Sequence, residues 1–443
     1  MSASSGTPFL MVSPLFPPCR LVGAKRALHL ARHLPAMGWD PAVFCLPWDH
    51  ERDPLLDELV PDVPINRNAR SGPIAWFEDL LRSRGANEWE RPYGSQHAQA
   101  VAQRPSPWKA FFLARWSEPN DRFHKYSGWA SMHAKRFCRE TGARLVYANG
   151  GPFSALSIAE QVARSADLPL VLDLRDPWSI EPNYRKHWSP TATRIVEERE
   201  ARQFHRADAI ILNTEASRDA YRTAYEGRIH GERFHAVRNG WDPSLLEPSS
   251  ATPGSGPLRI VYYGHLRPTK NSILFLEALR KVIQSESLGP ADLELIQAGN
   301  IPEADARAIE ELELRDFVQG HPWRPFPRCR DLLGTAHVLL DLMGPEHHLQ
   351  ISGQLYDYLG ASRPILSVSP NHEVGRLLAE ADAGVHVPCD VSAIAEALRK
   401  FLQDHREGRL STVDPAGAAR HTAARRAEQM AEIFEAVMEG GGR

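Results

Sequence analysis

Paired cysteine is scarce in this chain: five thiols, Cys19, Cys45, Cys138, Cys329 and Cys389, are scattered through 443 residues with no C-x-x-C spacing. That pattern excludes a zinc ribbon or redox dithiol and reads as small buried residues of a reducing compartment. Long hydrophobic runs are missing too. No stretch reaches the ~18 apolar residues of a membrane span, and the start "MSASSGTPFLMVSPLFPP" lacks the basic region and apolar core of a signal peptide, so a cytoplasmic location is expected. Charge of one sign is also lacking: the net charge is −3, which argues against a nucleic-acid partner while leaving room for a local basic pocket. What is present, 42% apolar and 24% charged residues, is enough for ordinary cores, and the length asks for two or three domains.

The apolar pattern alternates between strand-like and helix-like periods, the mark of parallel sheets covered by helices. "PFLMVS" is followed by the helical spacing of Ala27, Leu30, Ala31 and Leu34, then by "PAVFCL". After an interruption come "RLVYAN", "FSALSIAEQVARSA", "PLVLDL", "TRIVEEREARQFHRA", "DAIILNT", "EASRDAYRTAYE" and "RFHAVRNG". The Pro-, Ser- and Gly-rich "WDPSLLEPSSATPGSGP" reads as a linker. Beyond it the rhythm resumes from "RIVYYG" to "VSAIAEALRKFLQDH", and a last helix, "AARRAEQMAEIFEAVMEG", closes the chain. The expected organisation is a doubly wound domain over 1–245, a second over 256–405 and a helical extension over 406–443. Two such domains in series are expected to face a central cleft at the carboxyl ends of their strands, where ligands of these folds bind.

The interruption, residues 66–125, carries ten Lys/Arg against six Asp/Glu, with Trp76, Trp89, Trp108 and Trp116 interleaved. "WKAFFLARW" would form a short helix with its aromatics near one face. Either these rings fill a small local core, or the segment makes peripheral membrane contact or covers an acceptor.

Four strand-to-helix junctions carry chemistry-bearing residues. In the first, Gly23 would let a phosphate or sugar approach a helix start, although any tight turn accepts glycine. In the second, "LDLRDPWS" places Arg175 and Asp176 after an apolar run, as a cleft-rim pair or a plain salt bridge. The third is "YYGHLRPTKN": Gly264, His265, Arg267 and Lys270 lead into a helix, where backbone N–H groups and cations can hold a diphosphate. The fourth, "ISGQLYDYLGASRPIL", offers Gly353 for close backbone approach and Asp357 one turn later for a ribose diol. At another strand end, "FVQGHPW" supplies Gly320, His321 and Trp323 as a wall for a nucleobase.

These segments together, with "GGPFSALSIAEQVARSADLPLVLDLRDPWS" and "RNGWD", resemble the GT-B glycosyltransferases of the large retaining family 4, from Pro8 to about His405. The resemblance implies an α/β fold of two Rossmann-like domains. It also implies a nucleotide-diphosphate sugar held mainly by the C-terminal domain, a hydroxyl-bearing acceptor on the N-terminal domain, and no cofactor or metal. Residue by residue, Gly264 and Lys270 match the phosphate-binding glycine and lysine, and His265 stands where arginine is common, with Arg267 as compensation. Asp357 takes the place of the ribose-gripping glutamate, Gln354 that of a lysine, and Leu349 that of the first acidic residue. Gly151, Arg175 and Asp176 fall on the acceptor side, with Asp176 at the end of the strand carrying the family's cleft histidine. The expected reaction is retaining sugar transfer with Lys270, Arg267 and Asp176 as the catalytic set. A silent sugar-nucleotide-binding subunit, or a GT-B epimerase or hydrolase, is the alternative that the replaced positions leave open.

Overall fold

The computed structural model of the chain describes residues 6–19, 22–46, 58–67, 127–186, 188–245, 253–322, 329–411 and 413–440. The basic, tryptophan-bearing segment from 68 onward and Trp323 lie outside these residues. Contacts divide the chain into two compact units, Met1–Val237 with Ala427–Arg443, and Arg238–Arg426.

The first unit is built on strands β1 (Thr7–Val12), β2 (Trp39–Phe44), β3 (Ile65–Asn66), β4 (Val146–Gly150), β5 (Leu170–Leu174), β6 (Ala209–Leu212) and β7 (Phe234–Ala236). They form one sheet in the order β3-β2-β1-β4-β5-β6-β7, with every pair parallel. The strands are nearly continuous apolar runs because helices cover both faces, so alternation is lost. The helices start where the sequence caps them: Ser189 accepts from Ala192 N ahead of Pro190, and Thr214 accepts from Ser217 N. The sequence pattern gives little sign of the helix over Ser127–Thr141, since its buried face, Ala130, Ala134, Phe137 and Cys138, is mostly small residues with a weak apolar signal.

The second unit repeats the plan with β8 (Leu258–Tyr263), β9 (Leu293–Ala298), β10 (Val318–His321), β11 (Val338–Leu342), β12 (Ile365–Val368) and β13 (Gly384–Val387). The order is β10-β9-β8-β11-β12-β13, again all parallel. Each sheet therefore reverses its winding once, at β1/β4 in the first unit and at β8/β11 in the second. At such a point the two flanking loops part and leave a crevice at the strands' carboxyl ends.

The final helix, Ala423–Gly440, expected as part of a C-terminal helical extension, packs from Ala427 on with the first unit. Ala427, Met430, Ala431 and Phe434 form one stripe, and the Phe434 ring lies 5.3 Å from Phe9, 5.1 Å from Trp39 and 5.8 Å from Tyr147. Burying that ring contributes roughly 1.5–3 kcal/mol, which explains why the segment returns to the first sheet. The unit boundary likewise falls at Val237/Arg238, ahead of the Pro-, Ser- and Gly-rich stretch.

Candidate functional site

In the second unit, β8, β9 and β10 end level, with Tyr263 opposite Ala298 and Ala298 opposite His321. The chain then turns sharply at Gly264 (φ 152°) and at Gly299 (φ 153°), a backbone region that side chains rarely adopt. A Cβ on Gly299 would run into the Gly264 carbonyl, so the two turns touch through bare backbone. Gly264 N donates to Ala298 O at 2.9 Å, and Gly264 O accepts from the buried Gln297 Nε2 at 2.5 Å. His265 is tied back as well: its Nδ1 accepts from Asn300 N at 2.9 Å, which places the neutral ring's proton on Nε2.

Past this turn, Pro268–Lys270 make one tight helical turn, Asn271 adopts a left-handed conformation (φ 60°), and a helix runs over Ser272–Ser285. Asn271 Nδ2 donates to Met343 O at 2.7 Å, and a Cβ on Gly344 would collide with the Thr269 carbonyl. The loop after β8 is thereby held against the loop after β11, across the switch point. Lys270 is half-buried and its charge acts on Asp341 at the end of β11. Burial pushes the Asp341 carboxyl up, while hydrogen bonds from Ser367 and Ser352 and the Lys270 ammonium pull it down. Arg267, by contrast, is exposed.

The helix Gly353–Gly360 enters over the same strand ends, capped by Ser352, which accepts from Gln354 N at 3.2 Å. Tyr358 OH accepts from Tyr263 N at 3.0 Å and from Gln354 Nε2, anchoring the helix to the end of β8. Leu355, Tyr356, Tyr358 and Leu359 are buried, and Gly353, Gln354 and Asp357 form the face left partly open. Gln354 Oε1 stands 3.1 Å from where a Gly264 Cβ would be. The structure therefore brings Gln354 up to the Gly264 turn, with Gly353 and Asp357 on the partly open face of the same helix and Lys270 on the turn that follows β8. Gly320 and His321 lie on edge strand β10, two strands away from β8, about 10 Å at ordinary strand spacing.

In the first unit, the β1/β4 switch point holds Gly23, Gly151, Arg175 and Asp176. Arg175 Nη2 donates to Gly151 O at 2.8 Å, and its Nε lies 3.6 Å from Asp176 Oδ2. A Cβ on Gly23 would overlap Arg175 Nη1, so the missing side chain makes room for a guanidinium of this same chain. That differs from the sequence expectation, which left the space for a phosphate or sugar. Beneath lies a buried group: Arg26 Nε bonds Asp173 Oδ2 at 2.7 Å, Tyr147 OH donates to the same oxygen at 2.5 Å, and Arg26 Nη2 donates to Val237 O at 2.9 Å.

Sequence reasoning missed Gln297, Gly299 and Asn300, although "QAGN" ends β9 as "YYGH" ends β8. It also missed Asn271 and Asp341, whose parts depend on partners about seventy residues away.

Residues 23–240 match the family model described as the glycosyl transferase 4-like domain. This segment belongs to that family. Among solved structures, sucrose-phosphate synthase from Thermosynechococcus elongatus is similar at TM-score 0.66 and 15% identity, over 98% of this chain and 100% of that one. HepE of Anabaena, solved in complex with UDP and glucose, is similar at TM-score 0.64 and 16% identity, over 97% of this chain and 100% of that one. The lipopolysaccharide outer core galactosyltransferase WaaB matches at TM-score 0.59 and 10% identity, over 97% of this chain and 99% of that one. No curated protein sequence matches significantly. The glycosyl transferase 4-like domain is thus the front half of a chain with the GT-B fold of two Rossmann-like domains.

Proposed function

We propose that the protein transfers a sugar, with retention, from a nucleotide-diphosphate sugar to a hydroxyl-bearing acceptor without a metal. The observation that carries this reading is the Gly264–Asn271 turn at the β8/β11 switch point. It offers a bare backbone turn, a half-buried lysine and the start of a fourteen-residue helix at one place. A diphosphate there is gripped by Lys270, with Arg267 beside it, and Asp357 takes the ribose hydroxyls. Gly320 and His321, about 10 Å along the strand ends, are at a distance suited to the nucleobase. When the glycosidic bond breaks, charge gathers on the leaving diphosphate, which fixed cations and helix N–H groups stabilise without reorganising. The acceptor oxygen forms the new bond to the sugar carbon, and its proton passes to the leaving phosphate.

On the first unit, Gly151, Arg175 and Asp176 form the acceptor side, with Asp176 orienting the acceptor or the sugar. HepE has been solved with UDP-glucose, which makes UDP-sugars the first donors to test. A lipid-linked acceptor suits the basic, tryptophan-bearing segment 66–125. The experiment is a thermal-shift screen of nucleotide sugars followed by calorimetry with UDP on wild type and Lys270→Ala. Losing one charged hydrogen bond of about 1.5–3 kcal/mol lowers affinity about 10- to 100-fold. Stabilisation by no nucleotide, or equal UDP affinity in the variant, defeats the assignment.

A further inference from the structure

Glu200 is fully buried in the helix Pro190–Arg206, and among the described residues no cation pairs with it. Its carboxylate instead collects four donors. Oε2 accepts from Ser179 N at 3.0 Å and from Tyr221 OH at 2.9 Å; Oε1 accepts from Tyr225 OH at 2.9 Å and from Ser179 Oγ. Tyr221 OH in turn accepts from Trp178 N at 2.8 Å, and Arg185 Nη1 donates to Ser179 O at 2.8 Å. The Trp178 ring stacks on Phe153 at 4.8 Å, next to the Gly151–Pro152 turn. Every polar backbone atom of Trp178 and Ser179 named here is held, and the segment starts right after Asp176.

We propose that Glu200 is a positioning residue for sugar transfer: it fixes Trp178 and Ser179, and through Pro177 it sets the direction in which Asp176 presents its carboxylate. This rests on the reading that Asp176 belongs to the acceptor side and, of its two roles, orients the acceptor. Four donors meeting two oxygens use the acceptor capacity of an ionised carboxylate, whereas an amide offers one oxygen and adds two donors. Burial nonetheless pushes the Glu200 carboxyl up despite these bonds, so its ionised form is a cost to folding. A buried carboxylate kept at such a cost and bonded to the segment that begins two residues after Asp176 fits placement of the strand-end pair better than stabilisation of the core.

The test is Glu200→Gln, compared with Val196→Ala, a packing loss one turn earlier in the same helix. Amide exchange should quicken about tenfold or more at Trp178 and Ser179 in Glu200→Gln, with Leu172 in β5 unchanged, and Val196→Ala should not single out those two amides. With UDP-glucose and octyl glucoside as probes, Glu200→Gln should lower kcat for transfer about tenfold at unchanged donor KM. Release of UDP without acceptor should stay as in wild type. Unchanged exchange at the two amides, parallel loss of transfer and acceptor-free release, or the same kinetic pattern in Val196→Ala overturns the proposal. Absence of transfer in wild type sinks the functional reading alone, and the exchange result then decides by itself whether Glu200 holds the segment.

Discussion

Replacing Gly23 by alanine is expected to act through Arg175. The new methyl would overlap Nη1 and stand 2.7 Å from Arg175 Cζ and 2.8 Å from Leu15 Cδ1. A flexible side chain yields before a helix does, so the guanidinium swings out and its 2.8 Å bond to Gly151 O is lost. Overpacking of this kind costs about 2 kcal/mol, offset by about 0.7 kcal/mol gained when alanine replaces glycine in a helix. The expected net loss is therefore about 1.3 kcal/mol. In an Arg175→Ala background the guanidinium is gone and only Leu15 Cδ1, the end of a flexible side chain, has to shift, so Gly23→Ala should be close to neutral, within about 0.5 kcal/mol. The cycle then yields a coupling of about 1.3 kcal/mol between two residues 152 positions apart in the sequence. Hydrogen exchange of core amides in β1 and β4 reports the opening free energy of this unit by itself. If Gly23→Ala costs the same in both backgrounds, to within about 0.5 kcal/mol, the glycine is small for something other than Arg175, and the ligand reading of that space returns.

Two further outcomes are expected. Gln354→Lys, which places an ammonium where Oε1 faces the Gly264 turn, should tighten UDP binding about 5- to 10-fold by calorimetry, the scale of one added charge contact; weaker or unchanged binding removes the diphosphate from that turn. His421, buried and with Nδ1 accepting from Arg426 Nη2 at 2.9 Å, is pushed down from 6.5 to about 4 by burial and by the charges of Arg426, Arg238 and Arg420. The unfolded chain then binds this proton first, so stability present above pH 6.5 is lost as pH falls toward 4, by about 3 kcal/mol over the interval. Urea midpoints at pH 7 and pH 4.5 should converge in His421→Asn relative to wild type, and an identical pH response in the two proteins rules this out.

The legible part of the site lies where local chemistry announces itself. A run of β-formers broken at Gly264 and followed by a helix pattern is visible without partners, because a strand buried on both faces must be apolar and a sharp turn needs glycine. Helix Gly353–Gly360 was legible for the same reason, with Asp357 one turn beyond its start. Gly23 shows the limit. A glycine after a strand looks alike whether it admits a ligand or a side chain from another strand, and only Arg175, arriving from the end of β5, tells them apart. Glu200 was invisible for the converse reason: an acidic residue inside "RIVEEREARQFHR" reads as one more solvated charge until Ser179, Tyr221 and Tyr225 are found around it.

Period and turn chemistry, which are local, determined from the sequence alone that the chain alternates strand and helix in two series and that the strand ends carry its polar equipment. Strand order is not local. Tertiary structure decided that each sheet reverses at β1/β4 and at β8/β11, that Lys270 is half-buried with its charge acting on Asp341 while Arg267 is exposed, and that the last helix returns to the first sheet through Phe434. Those outcomes depend on which distant apolar surfaces and charges meet once the chain is compact, and the free energy of such a meeting belongs to the pair and is written in neither segment by itself.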